Sequence, residues 1–107
     1  MAVRYDIKGE MIIIYLPEEL DHKVATDIKK QADEVIYSGQ VMDVEFDFTD
    51  TRFMDSSGIG MIMGRYKLVH PLGGHIYVSG VGSNVARIIK ISGLHKLVIE
   101  RVKESTR

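Results

Sequence analysis

Met11-Ile12-Ile13-Ile14-Tyr15-Leu16 runs apolar without alternation, the pattern of a strand covered on both faces. Before it, Val3, Tyr5 and Ile7 alternate with Arg4 and Asp6, which predicts a half-buried edge strand. Lys8-Gly9-Glu10 is a turn joining the two into a hairpin. After Pro17-Glu18-Glu19, Asp21 is an expected N-cap, and Val24, Ala25, Ile28, Ala32, Val35 and Ile36 recur at helical spacing. Lys23, Asp27, Lys29, Lys30, Asp33 and Glu34 fill the other positions, and Ser38-Gly39 closes the helix. Val44, Phe46 and Phe48 alternate with Glu45 and Asp47 in a third strand that ends at Thr49-Asp50-Thr51. A second helix is predicted from Asp55-Ser56-Ser57 to about His70-Pro71, with Ile59, Ile62, Met63, Tyr66 and Val69 as its apolar stripe. Gly73-Gly74 turns into a strand at Ile76-Tyr77-Val78. Gly82-Ser83-Asn84 then opens a helix carrying Val85, Ile88 and Ile89, with Gly93 as its C′ residue. Leu97-Val98-Ile99 is expected as the last strand.

The order β-β-α-β-α-β-α-β predicts an α/β fold: one small mixed sheet packed with helices. Right-handed crossovers place three strands parallel to the second. The chain is short enough for a single domain, expected over residues 1–100, with 101–107 as a short polar tail. Lys and Arg total 14 and Asp and Glu 15, so the basic excess of a nucleic-acid binder is missing. The sequence contains no cysteine, which excludes disulfides, thiol catalysis and thiolate metal sites. No apolar run approaches the ~18 residues of a membrane span, and Met1–Asp6 lacks the apolar stretch of a signal peptide. A cytoplasmic domain, monomeric when free, is the expectation.

Chemistry-bearing patterns are few. His22, His70, His75 and His95 carry no metal-ligand spacing, so no metal is expected. Gly58-Ile59-Gly60-Met61-Ile62-Met63-Gly64 is neither GxGxxG nor a P-loop. Gly60 and Gly64 lie four apart on one helical face, as they would where another backbone approaches closely. Asp47, Asp50 and Asp55 could suggest a receiver domain, but no paired-Asp pocket follows the second strand and no Lys ends a later one. Gly-x-Ser-x-Gly is absent and no histidine is evidently paired with Asp and Ser, so serine catalysis is not expected. Phe53-Met54-Asp55-Ser56-Ser57-Gly58 lies between a strand and a helix, where loops carry function. Asp55 or Ser56 can be a plain N-cap. Equally, a serine there can take a phosphate beside the free N–H groups of a helix start, adding about −1.5 to −2 charges. Residue chemistry alone leaves both readings open.

Phe53-Met54-Asp55-Ser56-Ser57-Gly58-Ile59-Gly60, continuing through Met63-Gly64-Arg65-Tyr66-Lys67, resembles the signature of STAS-domain anti-sigma factor antagonists, in particular those of sporulation. The resemblance extends to Glu19-Leu20-Asp21-His22, to Gly73-Gly74 and to Ser92-Gly93-Leu94. Two departures are Pro17-Glu18 in a turn that commonly carries glycine, and a stretch after Ile99 where relatives usually add a further helix. The resemblance implies no enzyme and no cofactor but a protein switch. The unmodified form binds an anti-sigma factor that is also a serine kinase and so releases the sigma factor. The kinase phosphorylates the first serine of the pair, Ser56, and a phosphoserine phosphatase restores the active form. Partner contacts are expected at Glu19, Leu20, Asp21, His22, Asp55, Ser56, Ser57 and Gly58. Met54 and Ile59 are expected in the core, and Arg65, Tyr66 and Lys67 as packing stems with polar ends. A nucleotide-binding or sensing STAS module, or an antagonist serving stress response, is the alternative.

Overall fold

The structure, a computed structural model, describes residues 3–102. Strands β1 (Arg4–Lys8) and β2 (Met11–Tyr15) form the expected antiparallel hairpin. A two-residue strand β3 (Glu19–Leu20) leads into helix α1 (His22–Tyr37), followed by β4 (Asp43–Asp47) and a second two-residue strand, β5 (Phe53–Met54). Helix α2 (Ser56–Val69) ends in a 3-10 turn at His70–Leu72, then come β6 (Ile76–Ser79), helix α3 (Ser83–Ile91), a 3-10 turn at Leu94–Lys96 and β7 (Ile99–Arg101). The main sheet has the order β1-β2-β4-β6-β7, with β4, β6 and β7 running parallel to β2. That is the predicted mixed sheet, with the hairpin strand β1 at one edge.

Register decides which side chains become core. Ile12, Val44 and Ile76 align in one row and Ile14, Phe46 and Val78 in the next. These rows join Ala25, Ile28, Ala32, Met61, Ile62, Val85 and Ile89 from the three helices in one apolar cluster. Full burial of each large aliphatic or aromatic side chain contributes about 1.5–3 kcal/mol, so this single face supplies most of the drive to fold.

The opposite face departs from expectation. Ile13 aligns with Glu45, Tyr77 and Ile99, and Tyr15 with Asp47, Ser79 and Arg101. No helix packs there among the described residues. The apolar run of β2 is covered by helices on one face only, and the other is occupied by polar side chains of the neighbouring strands. Glu45 accepts hydrogen bonds from Ser79 Oγ at 2.8 Å and from Arg101 at 2.6 Å, so the buried carboxylate at the sheet centre is paired. Arg101 also lies over the Tyr77 ring. Beside this face the Tyr15 hydroxyl donates to Asp6 at 2.8 Å, and that bond raises its pKa above the ordinary tyrosine value.

The last strand also shifts. It forms at Ile99–Arg101 rather than Leu97–Ile99, because Gly93 at φ +82 and the 3-10 turn bury Leu94 and consume the residues up to Leu97. Arg101 therefore belongs to the sheet, not to the expected tail, and residues 103–107 of that tail lie outside the described residues.

One glycine is required by close approach. Gly74 lies under the Met42 backbone, where a Cβ would overlap the Met42 carbonyl oxygen and come within 3.0 Å of Val69 Cβ. Its own N–H bonds to the Val69 carbonyl at 2.9 Å, which fixes the turn into β6. Gly74→Ala is expected to lower the unfolding free energy by about 1–3 kcal/mol, read as a shifted midpoint in urea denaturation. An unchanged midpoint would mean that the Met42 segment yields freely.

Candidate functional site

The site is built where two loops leave the same end of the parallel pair β2 and β4. Leu16 and Phe48 extend those strands, donating from their N–H groups to the carbonyls of Asp47 at 3.0 Å and Ser79 at 2.8 Å. Beyond them the loops are tied to each other. The Thr51 hydroxyl donates to the Pro17 carbonyl at 2.9 Å, and the Glu18 carbonyl accepts from Arg52 N–H at 2.9 Å and Phe53 N–H at 3.1 Å. Strands β3 and β5 then pair in parallel, Glu19 with Phe53 and Leu20 with Met54. The exposed Arg52–Glu18 ion pair at 3.6 Å adds little.

Each loop ends on an aspartate that caps a helix. Asp21 Oδ1 accepts from Val24 N–H at 3.0 Å, and Asp55 Oδ1 accepts from Ser57 N–H at 2.8 Å. Both residues hold extended backbone, at φ −96° and −99°. Such caps contribute about 1 kcal/mol each. Because the loops are paired, the starts of α1 and α2 lie side by side: His22 Nδ1 is 3.3 Å from Ser57 Oγ, although the residues are far apart in sequence.

The expected contact residues divide in two. Glu19, Asp21, His22 and Ser56 are exposed, and Asp55 and Ser57 are half-buried. Ser56 is the first residue of α2, and among the described residues its hydroxyl has no hydrogen-bond partner. Leu20 and Gly58 instead lie beneath this surface. A Cβ on Gly58 would come 2.8 Å from Met54 Sδ and 3.0 Å from Leu20 Cδ2. Glycine there lets α2 sit directly on the paired loops, so Leu20 and Gly58 shape the surface from below rather than face outward. Met54 is buried as expected, and Ile59 packs half-buried against the core.

Helix α2 differs from its predicted stripe. Its buried residues are Gly58, Met61, Ile62, Arg65 and Val69, while Ile59, Met63 and Tyr66 are only partly buried. Arg65 is the unexpected member, with its side chain 6% exposed. Its Nε lies 2.9 Å from Asp33 Oδ1 on α1, and Nη1 has no hydrogen-bond partner among the described residues. Burial lowers the Arg65 pKa while the charge of Asp33 opposes that shift. A guanidinium remains charged in either case.

The pair of glycines beyond Gly58 also corrects an expectation. A Cβ on Gly60 or Gly64 would meet nothing within 4 Å, so no backbone among the described residues exploits them. They line an open groove of about 450 Å³ between α1 and α2, together with His22, Thr26, Lys29, Ser57 and Arg65. The glycine spacing pointed to this helix face but to a packed backbone rather than an open groove. The buried arginine went unsignalled, because a lone Arg in an amphipathic pattern gives no sign that its partner is one helix away.

Among the described residues no group of three or more His, Asp or Glu side chains could hold a metal ion, and no helix is long and apolar enough to cross a membrane. What the geometry offers is a surface shared by two paired loops, with the exposed Ser56 hydroxyl at the start of α2. Comparison with known proteins agrees with the architecture. The STAS domain family profile matches residues 2–107, and the chain belongs to that family. An anti-sigma F factor antagonist of Paenibacillus polymyxa is 39% identical over 88 residues, covering 82% of this chain and 75% of that protein. The structure of the anti-sigma factor antagonist SpoIIAA in its unphosphorylated form superposes with a TM-score of 0.77 at 23% identity, over 98% of this chain and 90% of that one. The Bacillus cell fate determinant SpoIIAA in its phosphorylated form gives 0.77 at 26% identity, over 94% and 91%.

The Arg65–Asp33 contact carries a stability prediction. Asp33→Ala leaves a buried cation uncompensated and is expected to cost about 2–4 kcal/mol, less than a fully buried pair because Asp33 keeps some water contact. Arg65→Met, which removes the charge but keeps the stem, should cost less. Denaturant unfolding of both variants checks this order, and the reverse order would show that Asp33 does not compensate the arginine.

Proposed function

We propose that this chain is an anti-sigma factor antagonist governed by phosphorylation of Ser56. In the unmodified form it binds an anti-sigma factor that is also a serine kinase, and the sigma factor is displaced. The kinase transfers the γ-phosphoryl group of ATP to Ser56 Oγ: the new O–P bond forms as the bond to ADP breaks, and the hydroxyl proton passes to a base on the kinase. A phosphoserine phosphatase hydrolyses the ester and restores the binding form. The name of the Paenibacillus polymyxa relative supports sigma F as the factor released.

The observation that carries this reading is the exposed hydroxyl of Ser56 at the start of α2, on a surface formed jointly by the loops ending at Asp21 and Asp55. Nothing in the fold has to open for a kinase to reach it. A phosphate at the first helical position lies at the positive end of the helix dipole, so the modified helix remains stable. The partner's surface is what suffers. About −1.5 to −2 charges arrive beside Asp55 and close to Asp21 and Glu19. Like-charge juxtaposition across an interface costs several kcal/mol.

Incubation with the cognate kinase and ATP is expected to give one acid-stable phosphoserine, at Ser56, by mass spectrometry. Ser56→Ala should bind the kinase and resist modification, and Ser56→Asp should bind about 100-fold more weakly or worse. Phosphate on another residue overturns the assignment of Ser56, and equal affinity of the two variants overturns the charge mechanism.

A further inference from the structure

The groove between α1 and α2 is not used by the fold. Gly60 and Gly64 each cost a helix about 1 kcal/mol relative to alanine. Open space above them shows that internal packing does not require glycine. The groove is also one-signed: the charged side chains in its lining are Lys29 and Arg65, beside the His22 ring and two hydroxyls from Thr26 and Ser57, with no carboxylate. In a chain of net charge −1 that concentration is local. Arg65 adds a buried guanidinium whose Nη1 has no hydrogen-bond partner among the described residues, with Asp33 answering it from one side only. Finally, the groove is continuous with the proposed contact face, because His22 and Ser57 belong to both.

We propose that this groove receives a carboxylate-bearing segment of the kinase partner, its main chain laid against Gly60 and Gly64 and its acidic side chain set beside Lys29 in the field of Arg65. The inference rests on the functional reading above and names a second anchor for the same partner. Bare helix backbone at the two glycines allows an approach closer than any side chain would permit, which gives shape specificity. The cationic lining gives charge complementarity, which acts mainly on association rate and register. A nucleotide fits less well, since no Phe, Tyr or Trp ring lines the groove and the one ring there, His22, lies 3.3 Å from Ser57 at its end.

The test uses the full chain and the purified cognate kinase. Gly60→Ala and Gly64→Ala should fold and melt no lower than the parent, because the added methyl enters open space and favours helix. Both should nevertheless lose about tenfold or more in kinase affinity. Lys29→Glu should lose about tenfold or more and flatten the salt dependence of the association rate, whereas Lys30→Glu, exposed on the same helix but outside the groove, should stay within about twofold. If the parent chain binds and is phosphorylated on Ser56 while the Gly60, Gly64 and Lys29 variants bind like it, the groove proposal falls and the functional reading stands. If the parent neither binds nor is phosphorylated, both fall. Titration with AMP or inorganic phosphate without kinase, followed by amide shifts at Gly60 and Gly64, should leave the groove unperturbed; saturable shifts there would assign it to a small anion and overturn the proposal.

Discussion

The insertion of Leu20 and Met54 beneath the start of α2 holds the functional end of this molecule together. The visible link between the two loops is a pair of two-residue strands, but hydrogen bonds of that kind contribute only about 0.5–1.5 kcal/mol net each. Fixing the backbone of one loop residue costs about 1–2 kcal/mol, so the bonds alone would not order the segments from Pro17 to Asp21 and from Thr49 to Asp55. Leu20 and Met54 are almost wholly removed from water, and burial of such side chains contributes about 1.5–3 kcal/mol apiece. Gly58 makes this possible by presenting no side chain to either of them. The hydrogen bonds then set register, and register sets which residues of the two loops face outward together.

Helix α2 is a poor helix by composition, and that weakness is informative. Gly58, Gly60 and Gly64 lie within its span, each at about 1 kcal/mol relative to alanine. The Asp55 cap, the burial of Met61, Ile62 and Val69, and the Arg65–Asp33 contact offset that cost. Its stability is thus tertiary rather than intrinsic. The N-terminal turn is anchored from below by Gly58 and from the side by Asp55, which leaves Ser56 the outward-facing residue of a rigid start.

Much of this was legible in the sequence, and the missed parts share a cause. The chain order of the main-sheet strands and helices, the strands parallel to β2, the Asp21 cap and the αL glycine at position 93 follow from periodicity and capping chemistry, because each is local or fixed by crossover handedness, whereas the sequence alone leaves the second cap open between Asp55 and Ser56. The strands Glu19–Leu20 and Phe53–Met54 were invisible, since two residues have no period. Strand β7 was set too early because Leu97-Val98 reads as apolar while Leu94, not these residues, fills the core. The second face of β2 differs for a related reason: an unbroken apolar run does not say what lies over each face, and here the second is lined by Glu45 and Arg101 from other strands and stays partly open to water. The segment around Ser56 stands out in the sequence as a motif. That Leu20 and Gly58 would be its underside depended on the approach of two segments distant in sequence.

Arg65 shows how a structural device and a functional one can share atoms. Burying a guanidinium is costly unless it is paired, and Asp33 supplies that pairing while α1 and α2 are packed together. The contact therefore fixes the spacing of the two helices, and with it the width of the groove that Gly60 and Gly64 leave open. A hydrophobic residue at position 65 could pack the same helices with no buried charge to compensate, as buried ion pairs elsewhere can be replaced without loss. What it could not do is add a second cation to a groove whose wall carries Lys29. Retaining the arginine makes physical sense when the field it projects is used by something outside the fold, and the same surface offers the neutral, exposed hydroxyl of Ser56. On the proposed reading, a partner contact that sets acidic groups in this groove and needs a neutral Ser56 beside Asp55 would be lost on addition of one phosphate, with no movement of the helices beneath.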